Sequence, residues 1–219
     1  MDFSSLLLLC RARLVAASGV PSSQAVLAAG GGILVLAAAA VPLLGRPGHG
    51  FLVWSRPPSA RFAVLLGARA LFFPALAEEA FWRSTLLPNA DADLSEGLTS
   101  KWGMLPWLSM KQWLWALACL LLFVAMHLVS GPLLSRAGAT KDQGRTFQDP
   151  RFLYLATGLG IACSLVYLGS DCTTVSNLWA AALVHWIPVC VWLIFLGGDA
   201  RLRGVSEMCD DTTSDSNAE

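Results

Sequence analysis

The residues best suited to chemistry are two adjacent carboxylates, Glu78 and Glu79, and Arg83, all at the end of a long apolar stretch. An ionisable group at bilayer depth costs roughly 2.5–3.5 kcal/mol on insertion scales, so three of them in one run indicate a function. Two other apolar segments carry one histidine each, His127 and His185. Carboxylates and histidines are groups that enzymes use to take a proton from water and to return it. The residues therefore predict water-activating chemistry inside a membrane.

Helical spacing gives the two glutamates different tasks. Glu79 and Arg83 are four residues apart, so they share one helix face and are expected to form an ion pair. Glu78 is five residues from Arg83, about 140° around a helix, and that arginine does not cover it. We expect Glu78 to face an interior cavity as the candidate base. Pro74, one turn earlier, predicts a kink or a widening of the helix just before the acids.

Each of these features also has a purely structural interpretation. An ion pair near a helix end that extends to the membrane interface accounts for Glu79 with Arg83, but it accounts less well for the adjacent Glu78. A single histidine on an apolar helix is more often a packed, hydrogen-bonded residue than a catalyst. The combination of two histidines and a carboxylate pair favours the functional interpretation.

The composition is that of a membrane protein. Of its 219 residues, 55% are hydrophobic and 14% are charged, against about 25% charged in a soluble domain. The 15 basic and 15 acidic residues balance, which argues against a nucleic-acid partner, because such proteins carry a basic patch. The six cysteines contain no C-x-x-C pair, so they predict neither a metal site nor a disulfide framework.

Five apolar segments are long enough to cross a bilayer, which needs roughly 20 helical residues. We therefore predict an all-α fold, a polytopic membrane helix bundle with about five transmembrane helices. The segments are Gln24–Leu44, Phe62–Trp82, Trp113–Leu134, Phe152–Gly169 and Leu178–Gly198. In the fourth, small residues predict close helix packing, namely Gly158, Gly160, Ala162 and Ser164.

The chain divides into three parts. Residues 1–22 are expected to form an interfacial helix or a targeting peptide, since they are rich in Leu, Ala and Ser and carry few acids. Residues 23–204 form the membrane-embedded domain. Residues 205–219 form an acidic tail whose composition predicts disorder.

Three motifs occur in order along the apolar segments. The first is E-E-x-x-x-R at residues 78–83, the second is F-x-x-x-H from Phe123 to His127, and the third is centred on His185. Together they resemble the CAAX prenyl endopeptidase and bacteriocin-processing family of intramembrane proteases, often called the CPBP or Abi family. The resemblance covers about residues 60–200. It departs at Val189, where the family carries Asn or a similar polar residue four positions after the histidine.

The resemblance implies a glutamate-dependent endopeptidase that cleaves a membrane-anchored or prenylated (CaaX-type) substrate. Glu78 and His127 would position and activate a water, and His185 would stabilise the oxyanion. Glu79 and Arg83 would hold the first motif in place. Phe123 is expected to form a wall beside the His127 imidazole, because it lies four residues earlier on the same helix face. We predict no cofactor and no metal, since the sequence contains no H-E-x-x-H motif.

Two other functions are compatible with these residues. The first is a non-catalytic membrane scaffold or binding protein of the same fold, which the Val189 departure favours. The second is a small transporter or proton-relay protein, because intramembrane Glu and His residues also do that work. The sequence lacks the internal repeat that many transporters show.

The expected partners are the lipid bilayer and a membrane-associated or prenylated peptide or protein substrate. The expected location is an integral, multi-pass position in a membrane. That membrane would be the endoplasmic reticulum or a plastid membrane in a eukaryote and the plasma membrane in a bacterium.

Overall fold

The computed structural model describes residues 3–21, 23–45, 50–86, 110–136, 141–169 and 178–203. The helices are α1 (Phe3–Ala17), α2 (Ser23–Ala40), α3 (Ala60–Ala70), α4 (Ala77–Glu79), α5 (Met110–Arg136), α6 (Lys141–Gln148), α7 (Pro150–Gly169), α8 (Leu178–Phe195) and α9 (Gly198–Arg203). Two short strands, β1 (Leu44–Gly45) and β2 (Leu52–Val53), pair in parallel. The predicted acidic tail, 205–219, lies outside the described residues.

Five helical segments are long and apolar enough to cross a membrane. They are Ala25–Leu43, Ala60–Thr85, Trp113–Leu133, Pro150–Leu168 and Leu178–Phe195. Their boundaries differ from the predicted ones by only a few residues, so the all-α polytopic membrane bundle is confirmed. Leu27, Leu34 and Val64 are 75%, 72% and 70% exposed, as expected of helix faces that contact lipid.

The centre of the bundle is built from small side chains where α2, α7 and α8 pack together. Ala25, Ala162 and Ala181 are among the buried residues of this core. A side chain at Gly32 would lie 3.6 Å from Ala162, an ordinary contact distance. Because lipid tails are as apolar as the core, helices associate in a membrane through such van der Waals packing, together with interhelical hydrogen bonds and lipid entropy.

The second span is a broken helix. It begins at α3, where Ser59 caps the first turn by accepting a hydrogen bond from the Phe62 N–H at 3.4 Å. Phe73 then leaves the helical region, with φ −145° and ψ 108°, immediately before Pro74. This break lies within a wider π-helical turn, Leu71–Leu76, which precedes α4, and a second such turn, Ala80–Thr85, follows α4. The predicted kink before the acids is therefore confirmed, and it sets α4 apart from the regular helix before it.

The N-terminal segment contains the helix α1, which packs against the second π-helical turn. The indole Nε1 of Trp179 donates a hydrogen bond to the Ser18 carbonyl oxygen at 3.1 Å, which ties the end of this segment to α8. The division of the chain at residues 22 and 204 stays a prediction.

Candidate active site

The ion pair expected from the four-residue spacing is present in the second span. Arg83 Nη1 donates a hydrogen bond to Glu79 Oε1 at 3.2 Å, and both side chains are buried. Arg83 Nη2 donates to the Gly160 carbonyl oxygen of α7 at 3.0 Å. The guanidinium therefore neutralises a buried carboxylate and also joins two membrane spans.

His185 lies between the two glutamates. From α8, its Nδ1 is 2.7 Å from Glu79 Oε1, while its Nε2 is 4.0 Å from Glu78 Oε2. An ionised carboxylate only accepts hydrogen bonds, so Nδ1–H donates to Glu79 and Nε2 is turned toward Glu78. The fifth span thus brings an imidazole against both acids of the first motif.

The two carboxylates differ in their surroundings. The Glu79 side chain is 0% exposed, whereas that of Glu78 is 31% exposed. Within the described residues, Glu78 Oε2 is buried without a hydrogen-bond partner. The 4.0 Å between this oxygen and His185 Nε2 exceeds a hydrogen bond. One water at about 2.8 Å from each atom would span this distance, with an angle of about 90° between its two contacts. The position suits a water held between a base and an imidazole.

His127 lies in an aromatic pocket on α5. Its Nδ1 is 2.8 Å from the Phe123 carbonyl oxygen, and its ring meets the Phe123 ring edge-on at a centroid distance of 4.6 Å. The expected aromatic wall is therefore present, and the rings of Phe147 and Phe152 extend it at 6.1 and 5.5 Å. Because a carbonyl only accepts, Nδ1–H donates to it and Nε2 is left as the acceptor.

Phe123 connects His127 to the first motif. The Arg83 guanidinium carbon lies 5.0 Å from the centroid of the Phe123 ring, within the range of a cation–π contact. The ring is 1% exposed. The second motif is therefore connected to Glu79 indirectly, because Phe123 contacts Arg83 and Arg83 binds Glu79. His185 contacts Glu79 directly.

The family comparison covers the part of the chain that contains these residues. The family model of type II CAAX prenyl endopeptidase, Rce1-like, matches residues 60–189, more than half of the chain. The chain belongs to this family. No curated protein and no solved structure gave a match. The matched residues contain all three motifs of this Rce1-like chain, whereas α1 and α2 precede them. Membership implies protease activity of the CAAX type in general, at a membrane.

Motif spacing did not identify Gly160, the α7 residue whose carbonyl oxygen binds Arg83 in this Rce1-like chain. Its carbonyl oxygen accepts hydrogen bonds from Arg83 and, at 2.8 Å, from Ser164 Oγ. A side chain there would stand 2.7 Å from Leu120 Cδ1 and 3.1 Å from Phe123 Cδ1. The small-residue series in the fourth span predicted close packing, but it did not indicate which carbonyl would be used.

The structure adds to the role predicted for Glu79. The sequence assigned it to Arg83 alone, since helical spacing reveals neighbours on one helix only. Its second partner, His185, is 106 residues away.

Val189, where the family carries a polar residue, offers no side-chain hydrogen bond. His185 is instead oriented by Glu79.

A candidate set of metal ligands lies at the same centre. One ligand atom from each of Glu79, Cys163 and His185 falls within 4.8 Å of the others, and all three residues are buried. Cys163 comes from α7, and its Sγ donates to the Ala181 carbonyl oxygen at 3.6 Å. No spacing in the sequence links these three residues.

Proposed function

We propose that this Rce1-like protein is an intramembrane endopeptidase that hydrolyses a peptide bond in a membrane-anchored or prenylated substrate through a Glu- and His-activated water. The observation that supports it best is the placement of His185, 2.7 Å from Glu79 and 4.0 Å from Glu78. An imidazole oriented by one carboxylate and facing another is an arrangement that general acid–base catalysis requires.

In this proposal the water lies between Glu78 Oε2 and His185 Nε2. Glu78 takes one proton as the water oxygen attacks the peptide carbonyl carbon. The C–N bond then breaks, and Glu78 returns the proton to the leaving amine. One amide and one water become one carboxylic acid and one amine. A positioned base of this kind contributes about 10²–10⁴ in rate.

In the proposal His185 stabilises the oxyanion that forms on the peptide carbonyl oxygen. Glu79 fixes its Nδ1, and Arg83 fixes Glu79, so the imidazole presents Nε2 to the side on which Glu78 stands. In the imidazolium form, with a proton on each ring nitrogen, Nε2 donates a hydrogen bond to the negative charge that develops on the carbonyl oxygen. Removing one such donor costs about 10²–10³ in rate in other acyl-transfer enzymes.

His127 enters the proposal as the second group that positions the water. The Phe123 carbonyl fixes its Nδ1, so Nε2 is free to accept a hydrogen bond. The rings of Phe123, Phe147 and Phe152 exclude bulk solvent from one side of the imidazole. Two observations support this role of His127: its place in the F-x-x-x-H motif and the orientation of its ring by the Phe123 carbonyl.

The test uses the purified protein in detergent with a prenylated CaaX peptide and a panel of membrane-anchored peptides. We expect cleavage by the wild type and a loss of about 10²-fold or more in Glu78→Gln and in His127→Ala. Asp199→Asn is the matched control, because Asp199 pairs with Arg203 at the surface and should keep full activity. Cleavage that persists in Glu78→Gln would overturn the proposed mechanism.

The same preparation separates the alternatives. Binding of the peptides without turnover in any condition would support the scaffold, which the Val189 departure favours. An ion flux in liposomes that requires Glu78 would support the transporter.

A further inference from the structure

Three residues that could ligate a metal converge at the centre of the membrane domain from three different spans. Glu79 is on α4, Cys163 on α7 and His185 on α8, and one ligand atom of each lies within 4.8 Å of the others. Their exposures are 0%, 0% and 3%. Carboxylate oxygen, thiol sulfur and imidazole nitrogen are the three ligand types of protein-bound Zn²⁺.

Glu79 has an unused acceptor at this point. Its Oε1 accepts from Arg83 and from His185, but its Oε2 is buried and has no hydrogen-bond partner among the described residues. A buried carboxylate oxygen without a partner keeps its full desolvation penalty, which is larger for a charged group than for a neutral one. A cation on Oε2 would satisfy it while Arg83 keeps Oε1.

The charges favour a divalent cation. Binding releases the Cys163 thiol proton to solvent, and the resulting thiolate and the Glu79 carboxylate together neutralise the two charges of the ion. Arg83 keeps its hydrogen bond to Glu79 Oε1, and the Glu78 carboxylate on the other side of His185 supplies a further negative charge nearby. A neutral centre is what a low-dielectric interior requires.

Glu78 also has the position of a supporting residue. A histidine that binds a metal through one nitrogen commonly donates its other N–H to a carboxylate, which fixes the ring. Here Nδ1 of His185 faces the cluster, and Nε2 is 4.0 Å from Glu78 Oε2.

We propose that Glu79, Cys163 and His185 form a binding site for a thiophilic divalent cation, Zn²⁺ being the best match, and that its occupancy inhibits the enzyme. The inhibition rests on the proposed function, whereas the site does not. An ion on Nδ1 replaces the hydrogen bond to Glu79 that orients the imidazole. The side-chain shifts that binding requires then change the separation between Nε2 and Glu78 Oε2, where the catalytic water is proposed to lie.

The geometry sets the expected strength. Two ligand atoms of a tetrahedral Zn²⁺ are about 3.3–3.6 Å apart, given bonds of about 2.0 Å to N or O and 2.3 Å to S. The ligand atoms of the three residues lie within 4.8 Å of one another, and Nδ1 is hydrogen-bonded to the other oxygen of Glu79, Oε1, at 2.7 Å. A separation of 4.8 Å must close by about 1 Å to reach the tetrahedral range. We therefore expect a reversible site that must displace the Glu79–His185 hydrogen bond.

The binding test uses the full chain in detergent with Zn²⁺ alone, titrated against a chromogenic chelator and measured by X-ray absorption at the zinc edge. We expect one ion per chain, a sulfur neighbour at about 2.3 Å and N or O neighbours at about 2.0 Å. Cys163→Ser should remove the sulfur neighbour and weaken binding by more than the roughly tenfold that the loss of a residue supporting a ligand already costs. Cys190→Ser is the matched control, because Cys190 is another free thiol in a neighbouring span and lies outside the cluster.

Each outcome decides the proposal. A spectrum without sulfur, or equal affinity in Cys163→Ser and the wild type, would overturn the site. If Cys163→Ser does not fold, Cys163→Ala replaces it in the affinity measurement. The wild-type spectrum alone already shows whether a sulfur atom binds the zinc. Inhibition is measured for each variant relative to its own rate without Zn²⁺. Zinc binding through these ligands in a protein that cleaves nothing would refute the proposed function and leave the site. Cleavage of the peptides by a protein that binds no zinc would refute the metal site and leave the proposed function.

Discussion

His185 Nδ1 lies 2.7 Å from Glu79 Oε1, so a residue of the fifth span holds a buried carboxylate of the second. The same oxygen accepts from Arg83 Nη1 at 3.2 Å. One atom therefore connects an imidazole and a guanidinium, and through Arg83 Nη2 it also reaches the backbone of α7. Three spans depend on a single charged group, and the loss of that charge should affect the fold before it affects the chemistry.

The two glutamates should differ in how much they stabilise the protein. Glu79→Gln removes the charge that balances buried Arg83, and the loss of one partner of a buried pair costs about 3–5 kcal/mol. Glu78→Gln leaves that pair intact and changes a residue that is 31% exposed. We expect Glu79→Gln to lower the melting temperature and the expression yield more than Glu78→Gln. Thermal unfolding in detergent measures the difference. Equal melting temperatures for the two variants would contradict this division of roles.

Lysine should not replace arginine at position 83. Arg83 donates to Glu79 and to the Gly160 carbonyl, and its planar group lies over the Phe123 ring. A lysine ammonium is a point charge without this fork, so one acceptor loses its partner at a cost of about 1–3 kcal/mol.

Arg203 offers a matched control for that substitution. It forms an i,i+4 pair with Asp199 at 2.9 Å, but its side chain is 51% exposed. Surface substitutions of this kind change stability by about 0.5 kcal/mol or less. Arg83→Lys should therefore lower the melting temperature well beyond Arg203→Lys in the same detergent. A similar small change in both variants would show that the fork at Arg83 contributes little.

The sequence predicted those parts of the fold and site that depend on local pattern. Apolar runs of about 20 residues predicted five spans, because bilayer thickness fixes helix length. The four-residue spacing predicted the Glu79–Arg83 pair, and Pro74 predicted the break before the acids. Each of these depends on neighbours within one helix, where periodicity determines which side chains meet.

The contacts between spans could not be predicted in this way. The Glu79–His185 hydrogen bond and the Arg83–Gly160 hydrogen bond join residues 106 and 77 positions apart. Nothing in a helical period specifies which faces of two spans meet. Cys163 illustrates the same limit, since its place beside Glu79 and His185 follows from the packing of α7 against α8.

A methyl group at position 160 should disturb the junction between α5 and α7. In Gly160→Ala the new Cβ would lie 2.7 Å from Leu120 Cδ1 and 3.1 Å from Phe123 Cδ1, so both side chains must move. Overpacking of this kind costs about 1–3 kcal/mol. Gly158→Ala is the control, since its Cβ meets Leu36 Cδ2 at 3.4 Å. We expect a lower melting temperature for Gly160→Ala only. Two unchanged melting temperatures would show that Leu120 and Phe123 accommodate the methyl group at no cost.

The start of α7 should give the protein a pH-dependent contribution to stability. Asp149 accepts hydrogen bonds from the Arg151 side chain and from its backbone N–H, and these hold the pKa of the Asp149 carboxyl below its usual range. A lowered pKa stabilises the fold above the unfolded value of about 3.9, and this contribution is lost as the pH falls through the folded value. Asp149→Asn should therefore lower the melting temperature at pH 7 by the equivalent of about 1 kcal/mol or less, because the arginine is largely exposed. The difference from wild type should shrink as the pH falls below about 4. A difference that stays constant or grows on acidification would show that the carboxylate charge is not its source.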